Sequence, residues 1–507
     1  MSELRRAIRA TLMPGFTGLE APEWVFAAIE QGVRSFCIYG DNVQDRTQLT
    51  QLGAALRAAN PELILAIDEE GGEVTRLHYR EGSPYPSAAV LGRIDDPAYT
   101  ERVGARVARS LLGVGFDLAL GPVADVNSDP RNPVIGTRSF GADPELVSRH
   151  VAAWVRGVQR AGATACAKHF PGHGATTLDS HLDLPIVADT AAVIAQRDLP
   201  PFAAAIDEGV GAIMTSHILL PEIDPNQPAT FSPTILQGML REQFGFAGVI
   251  VSDALDMSGA TNGIDIPEAV VRALAAGCDL LCLGIGSSPE LLRDIEERVI
   301  TAIASGRLSE ARVFEAEANT AALAAARPLL GTALTEADPS SPTHTETERI
   351  AASFSGSDAA RAWIAAHPEA AVLRVESESN QAVGNTPWGP FAPAAARLSG
   401  SRGACATFSP SYTASVSVDS PRPWRVRADA AAEAEEISDA GCVIIGRDLH
   451  RHAFARAGID ALRKAGRDLL VVEMGWPGPA EYADVATFGS TALVGSALLT
   501  LIEEDPS

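Results

Sequence analysis

The densest group of chemically useful side chains lies in residues 168–181, KHFPGHGATTLDSH. It contains Lys168, His169, Asp179 and His181. Proline and glycine exclude a regular helix, so a loop leaving a strand is predicted. A carboxylate bonded to one imidazole nitrogen raises the basicity of the other, which predicts His181, paired with Asp179, as general acid and then general base. The alternative is a loop whose histidines only pack and form hydrogen bonds.

A second candidate is Asp253, which follows the apolar run in GVIVSDALDM, residues 248–257. One carboxylate as nucleophile and a separate proton donor are the minimum apparatus for glycoside hydrolysis with retained configuration. Asp256 is a competing carboxylate, ranked lower because it sits after the strand. The alternative role for Asp253 is that of a helix N-cap, which is frequent for aspartate.

A third group could bind sugar hydroxyls. In AIDEEGGEVTRL, residues 66–77, Asp68 leaves a predicted strand and Arg76 returns towards the same face after a glycine turn. Arg138 is presented by PVIGTRSFG, residues 133–141. A carboxylate and a guanidinium together can chelate vicinal hydroxyls, because one accepts and the other donates hydrogen bonds. A structural salt bridge between Asp68 and Arg76 is the alternative.

A metal site competes with this interpretation, because histidine and aspartate in the 168–181 loop are metal-ligand types. His169 and His173 would share a face only on a helix, which the intervening Pro-Gly forbids. Lys168 would also place a positive charge beside the cation. We therefore predict neither a metal nor a cofactor; activity lost to a chelator and restored by metal would reverse this ranking.

Short apolar runs, alternating with helical segments up to about residue 290, must position these residues. Such alternation predicts a parallel sheet with crossover helices, and eight repeats favour a (β/α)8 TIM-type barrel. Polar residues end several of the runs, including Asp125 and Asn127 after the fourth and His217 at the end of the sixth. The carboxyl ends of barrel strands meet on one face, so one active site is predicted there. The eight runs are residues 12–16, 35–39, 63–68, 116–121, 163–169, 212–217, 249–253 and 279–284, with helices at 46–59, 146–161 and 267–276.

The chain is predicted to have two domains. Residues 1–336 form the catalytic barrel with trailing helices, and 337–346 (ADPSSPTHTE) form a linker. Residues 347–507 form a smaller α/β sandwich-like domain of unassigned role, with strands at 371–375, 442–446 and 469–474 and irregular loops at 384–395 and 399–417.

Composition excludes several classes of partner. The chain has 507 residues, with 40 basic against 64 acidic residues and a net charge of −24. Such a balance repels phosphate backbones and anionic membranes, so neither nucleic acid nor membrane is a predicted partner. The six cysteines lack a CxxC pair or a disulfide-framework density, and no secretory segment is seen at the start, so a cytoplasmic location is predicted. A homodimer is possible.

Together the segments resemble glycoside hydrolase family 3, in its two-domain β-N-acetylglucosaminidase branch. The resemblance covers about residues 8–330. KHFPGHG followed by DSH looks like the signature of the branch; DxEGGxVxRL, NPVIGxRSFG, PATFS, FxGVIVSDALDM and AGCDLL follow the expected order. Glu69, Glu73 and residues 39–42 depart from the pattern near the sugar-binding loops, which affects the expected subsite preference more than the reaction.

The resemblance implies roles for individual residues. Asp253 would be the nucleophile and His181 the acid/base, with Asp179 orienting the imidazole. The predicted substrate-binding residues are Asp68, Arg76, Arg138, Lys168, His169, His217 and Met257.

The predicted activity is that of a metal-independent retaining exo-β-N-acetylglucosaminidase. It would release terminal β-linked GlcNAc from peptidoglycan- or chitin-derived glycans through a glycosyl-aspartate intermediate, for example in peptidoglycan recycling. Three alternatives stay open: a phosphorylase that uses phosphate as acceptor at the same site, a broader β-glucosidase, and an inactive carbohydrate-binding scaffold. An imidazole acid/base does not repel phosphate as a carboxylate would, which is why the first is considered.

Overall fold

The computed structural model describes residues 2–180, 184–261, 263–326, 344–368, 370–377, 379–398, 412–414 and 441–503. Eight parallel strands run in the order β1-β8-β7-β6-β5-β4-β3-β2. The sheet closes on itself, because Cys37 of β2 donates its N–H to the carbonyl of Pro14, just after β1, at 3.1 Å. The predicted barrel is confirmed. Its strands are β1 Leu12–Met13, β2 Ser35–Ile38, β3 Ile64–Ile67, β4 Leu118–Ala119, β5 Thr164–Phe170, β6 Ala212–Thr215, β7 Val249–Ser252 and β8 Leu280–Cys282.

Alternation along the strands separates two apolar layers. Met13, Cys37 and Ala66 belong to the core inside the barrel. Their neighbours Leu12 and Phe36 instead join the cluster between strands and helices. Because successive strand side chains point to opposite faces, apolar runs without polar alternation fill both layers and leave polar side chains for the strand ends.

Helices surround the barrel, and several of them start at side-chain caps. Asp45 accepts the N–H of Gln48 at 2.8 Å at the start of Arg46–Ala59, whose bounds match the predicted 46–59. Among the described residues, no helix is long and apolar enough to cross a membrane. The helices of this part are Glu3–Ala10, Glu23–Glu30, Arg46–Ala59, Ala88–Ile94, Pro97–Leu112, Pro144–Arg160, Ala191–Arg197, Pro200–Asp207, the π-helix Thr234–Gln243, Ser258–Thr261, Ile266–Ala276, Pro289–Ala304 and Glu310–Ala325.

The described residues from 344 onward, here called the C-terminal unit, contain a second parallel sheet. Its five strands lie in the order β10-β9-β11-β12-β13. The smaller α/β domain is thereby confirmed in fold class. The strands are β9 Ala371–Val375, β10 Tyr412–Ala414, β11 Cys442–Gly446, β12 Leu469–Glu473 and β13 Val485–Ala486, and the helices are His344–Ala351, Ser357–Ala366, Pro393–Leu398, Ala453–Lys464 and Ala492–Glu503.

Some sequence predictions for this unit need qualification. Helix Pro393–Leu398 lies partly in the stretch predicted as irregular, with proline at its first helical position, where the missing N–H costs no hydrogen bond. Strand β10 likewise falls inside the predicted loop at 399–417, most of which lies outside the described residues. Residues 337–343 of the predicted linker also lie outside the described residues, so the domain boundaries stay predictions.

The C-terminal unit packs along the loop that follows β3, residues 68–87, here called the β3 loop. Glu73 accepts the N–H of Ser490 at 2.7 Å with its buried carboxylate. The N–H of Leu493 donates to the carbonyl of Ser83, at 3.3 Å. The loop that carries Asp68 and Arg76 is therefore supported from outside the barrel.

Candidate active site

A cavity of about 530 Å³ lies at the carboxyl ends of the barrel strands. Asp68 follows β3, Lys168 and His169 lie in β5, and Asp253 follows β7, so residues far apart in sequence meet there. The predicted residues that line the cavity are Asp68, Arg76, Arg138, Lys168, His169, Asp253 and Met257. Their roles stay predictions, but the structure brings them to one place.

A network of buried charges forms one side of the cavity. Lys168 Nζ lies 2.9 Å from Asp68 Oδ1 and 2.8 Å from Glu70 Oε1. Arg138 makes a two-pronged contact with Glu70, at 2.8 and 3.0 Å. Arg76 is looser, with Nη2 3.7 Å from Asp68 Oδ2, so the simple Asp68–Arg76 salt bridge is not the main contact of either group.

These cations determine the charge of the carboxylates. Burial opposes ionisation of Asp68 and Glu70, but the neighbouring cations outweigh it and hold both pKa values below their usual range. Lys168 stays charged for the reciprocal reason. Burial lowers its pKa, but Asp68 and Glu70 raise it by more, so the pKa of Lys168 lies above its usual value. The side chains thus offer both donors and acceptors at neutral pH, which suits vicinal hydroxyls.

His169 is oriented by Asp125, which follows β4. His169 Nδ1 lies 2.7 Å from Asp125 Oδ2. Asp125 is fully buried, and its Oδ1 also accepts the N–H groups of His169 and His173, at 3.2 and 2.6 Å. Burial raises the pKa of Asp125, but His169 and these donors keep it below its usual value. Because Nδ1 is occupied, a ligand in the cavity can meet the ring only through Nε2.

The loop after β5 is fixed by His173. Its Nε2 lies 3.0 Å from Ser180 Oγ and its Nδ1 lies 2.8 Å from Thr176 Oγ1. Burial lowers the pKa of His173 to about 4, so the ring is neutral and serves the loop by hydrogen bonding. Gly174 permits this path, because a Cβ there would lie 1.8 Å from the carbonyl of Val126.

The predicted acid/base His181 lies outside the described residues, so its pairing with Asp179 stays a prediction. Asp179 itself is half-buried and does not line the cavity, whereas its neighbour Ser180 does. The carbonyl of Ser180 accepts the N–H of Gly259 at 3.1 Å. The chain immediately before His181 is therefore bonded to helix Ser258–Thr261, which follows the loop that carries Asp253.

Asp253 is part-exposed at the cavity wall, and its Oδ1 accepts the N–H of Ala254 at 2.8 Å. Asp256 lines the same cavity and is more exposed. Met257 lines it too. Both carboxylates reach the space that a ligand would fill, and Asp253 is the one directly at the end of β7.

The structure does not bring His217 to the cavity, in contrast to its predicted substrate contact. The ring is fully buried, with Nε2 3.0 Å from the carbonyl of Ala254 and Nδ1 2.9 Å from Thr230 Oγ1. His217 thus supports the peptide next to Asp253 from behind. β6 ends at Thr215, so strand alternation no longer fixes the direction of residue 217, and its substrate contact stays a prediction.

Several cavity residues were not singled out by the sequence. Glu70 stands two residues after Asp68, a spacing that could have indicated a shared side of the chain. Gln381 and Ala382 come from the C-terminal unit and carry no local signal. Within the described ranges, no three His, Cys, Asp or Glu side chains are grouped so that they could hold a metal ion.

Comparison with known proteins identifies the family of the chain. Residues 21–322 match the family model described as "Glycosyl hydrolase family 3 N terminal domain". That match spans more than half of the chain, so the chain belongs to glycosyl hydrolase family 3 and is a glycoside hydrolase.

Individual relatives cover different parts of the chain. A beta-hexosaminidase of Pseudomonas aeruginosa is 38% identical over 273 residues, which is 53% of this chain and 81% of the relative. A glycoside hydrolase family 3 beta-N-acetylglucosaminidase from Paenibacillus sp. str. FPU-7 superposes with a TM-score of 0.81 at 26% identity, over 99% of this chain and 97% of that one. NagZ from Neisseria gonorrhoeae superposes with a TM-score of 0.51 at 31% identity, over 62% of this chain and 97% of that one.

Proposed function

We propose that the protein is a retaining exo-β-N-acetylglucosaminidase that removes terminal β-linked GlcNAc from peptidoglycan- or chitin-derived glycans in the cytoplasm. The names of the relatives support the sugar class. The observation that carries the proposal is the hydrogen bond from Gly259 to Ser180, at 3.1 Å, between the short helix Ser258–Thr261 that follows the loop of Asp253 and the loop that leads to His181. Two groups on these loops would act on one glycosidic bond.

The reaction would proceed in two displacements. A carboxylate oxygen of Asp253 bonds to the anomeric carbon as the glycosidic C–O bond breaks, and the imidazolium of His181 gives its proton to the leaving oxygen. Water then gives a proton to His181 and bonds to the same carbon, and the glycosyl ester of Asp253 breaks. The carboxylate and the imidazolium are restored, and the sugar keeps its β-configuration. Asp179 would hold the ring of His181 in the productive tautomer.

The charge network would bind the sugar away from the reacting bond. Asp68 and Glu70 accept from hydroxyl groups, while Lys168, Arg76 and Arg138 donate to them. One charge-assisted hydrogen bond contributes about 1.5–3 kcal/mol, so a few such bonds suffice to hold one pyranose. All five groups are already paired with each other, which means that no large rearrangement of charge is needed when the sugar enters.

The test is to trap the intermediate. The protein is incubated with 2-acetamido-2-deoxy-5-fluoro-glucosyl fluoride, digested and mapped by mass spectrometry. We expect one covalent sugar on the peptide that contains Asp253, with the label kept in Asp256→Asn and lost in Asp253→Asn. A label on Asp256, or no labelling together with no release of GlcNAc from its 4-nitrophenyl β-glycoside, would contradict the proposal.

A further inference from the structure

Residues 380–384 of the C-terminal unit, here called the 380–384 segment, reach the barrel cavity. Gln381 and Ala382 belong to its lining. Ala382 packs against the apolar cluster that contains Val134 and Ile135. Asn380 Nδ2 lies 3.4 Å from the carbonyl of Pro133. The segment is therefore in contact with the loop that presents Arg138.

The same segment holds Arg76. The Nη2 of Arg76 donates to the carbonyl of Ala382 at 2.7 Å, and its Nη1 donates to that of Val383 at 3.4 Å. These contacts are shorter than the 3.7 Å between Arg76 and Asp68. A buried guanidinium whose outer nitrogens are fixed by two carbonyls keeps one orientation, and here that orientation is set by the C-terminal unit.

One side chain within the segment, that of Asn380, bonds to the backbone of the same segment. Asn380 Oδ1 accepts the N–H of Val383 at 2.9 Å, which turns the chain so that the carbonyls face Arg76. With its amide group near Pro133, Asn380 links this turn to the barrel. Asparagine is suited to such a turn, because its short side chain can bond to the backbone a few residues on.

The barrel order places this segment relative to the nucleophile. Arg76 follows β3 and Pro133 follows β4, while Asp253 follows β7. In the closed order of eight strands, β3 and β7 are four strands apart in either direction, which makes them opposite. The segment therefore faces the Asp253 side across the cavity, beside the charge network that we assign to sugar hydroxyls.

We propose that the 380–384 segment is a wall of the sugar-binding site, in which Asn380 is a positioning residue that fixes Arg76 and Gln381 contacts the bound sugar on the side remote from the anomeric carbon. This rests on the proposed function for the identity of the sugar. It gives the C-terminal unit a role in substrate affinity, although the proposed nucleophile and acid/base both belong to the barrel.

The experiment compares Asn380→Ala, Asn380→Asp and Gln381→Ala with Asn385→Ala in the full-length protein. Asn385 is an exposed asparagine beside the segment that does not line the cavity, so it is the matched control. The readouts are kcat and KM on 4-nitrophenyl β-GlcNAc, the Kd of free GlcNAc by calorimetry, and Tm.

We expect Asn380→Ala and Gln381→Ala to raise KM and the Kd of GlcNAc about tenfold with kcat changed less than about twofold, since a lost polar contact of this kind weakens binding without touching the reacting atoms. Asn380→Asp keeps the acceptor for Val383 and should recover part of the affinity. KM and Kd equal to those of Asn385→Ala would overturn the inference. Failure of the proposed function is seen separately, as a wild-type protein that neither cleaves the substrate nor binds GlcNAc.

Discussion

Replacing Lys168 with methionine tests the charge network most directly. Lys168 is 3% exposed and contacts both Asp68 and Glu70, so Met removes the charge while keeping an unbranched side chain. Among the described residues, Arg76 and Arg138 are then the counter-charges that contact the two carboxylates. The chain also offers a matched control, because Lys464 is the only other lysine and is exposed at the end of helix Ala453–Lys464.

The expected losses of stability and of kcat/KM in Lys168→Met follow from the burial of Lys168 and from the contacts that it makes. Breaking a buried ion pair by removing one partner costs about 3–5 kcal/mol, and the low end, about 3 kcal/mol, applies because the side chain of Asp68 keeps 21% exposure. If Lys168 makes one charge-assisted hydrogen bond to the sugar, its loss costs about 1.5–3 kcal/mol, which is about 10- to 150-fold in kcat/KM.

The pH dependence gives a further check. The folded-state pKa of Asp68 is depressed, so its contribution to stability is fully present above its unfolded pKa, about 3.9, and is lost as pH falls through the lower folded value. The stability gap between wild type and Lys168→Met should therefore be full at pH 6–8 and narrow below about pH 4. Urea unfolding across pH and steady-state kinetics measure both effects. A Lys168→Met protein as stable and as active as Lys464→Met would refute the reasoning.

The remaining predictions concern Glu69, His181 and the acceptor. Burial raises the pKa of Glu69 from 4.5 to about 7, so the folded state holds a proton that the unfolded state releases. The contribution of Glu69 to stability should therefore fall as pH rises from about 4.5 to 7, and Glu69→Gln should remove that contribution from the pH dependence measured in urea titrations. His181→Ala should slow the hydrolysis of aryl glycosides with poor leaving groups at least about 100-fold, and should slow the hydrolysis of those with good leaving groups little. A loss of rate that does not depend on the leaving group would contradict the role of His181. In phosphate buffer, chromatography should detect free GlcNAc; GlcNAc 1-phosphate as main product would favour the phosphorylase alternative.

The barrel was predictable because its elements are encoded locally. Seven of the eight apolar runs contain their strands and β5 extends one residue past its run, since segments buried on both faces need continuous apolar sequence. Helix Arg46–Ala59 matches its predicted range. Carboxyl-end residues such as Asp68, Lys168 and Asp253 converge for the topological reason that parallel strands share an edge.

Side-chain direction beyond a strand end was harder to predict. Glu69 turns away from the cavity and accepts from Thr75 Oγ1 at 2.7 Å, while Asp68 and Glu70 on either side both meet Lys168. Alternation continues there, so Glu70 could have been found. It does not continue to His217, whose direction follows from Thr230 and Ala254, both set by tertiary packing.

The contact of the C-terminal unit with Arg76 had no signal at all in the sequence. Arg76 and Ala382, which form the shorter of the two hydrogen bonds, are 306 positions apart, and the acceptor is the main-chain carbonyl of Ala382. A pattern of residue types reports on side chains, so a site completed by backbone atoms from a remote loop is outside its reach.

Because Arg76 is held by the main-chain carbonyls of Ala382 and Val383, the contact places few demands on the side chains at these two positions during evolution. Any amino acid that fits the apolar packing at positions 382 and 383 supplies the same oxygen atom, so the bond to Arg76 depends on the turn more than on which side chain is present. Related proteins could keep this contact with Arg76 while differing at positions 382 and 383, and recognising the contact in them would require comparing backbone paths as well as aligned residues.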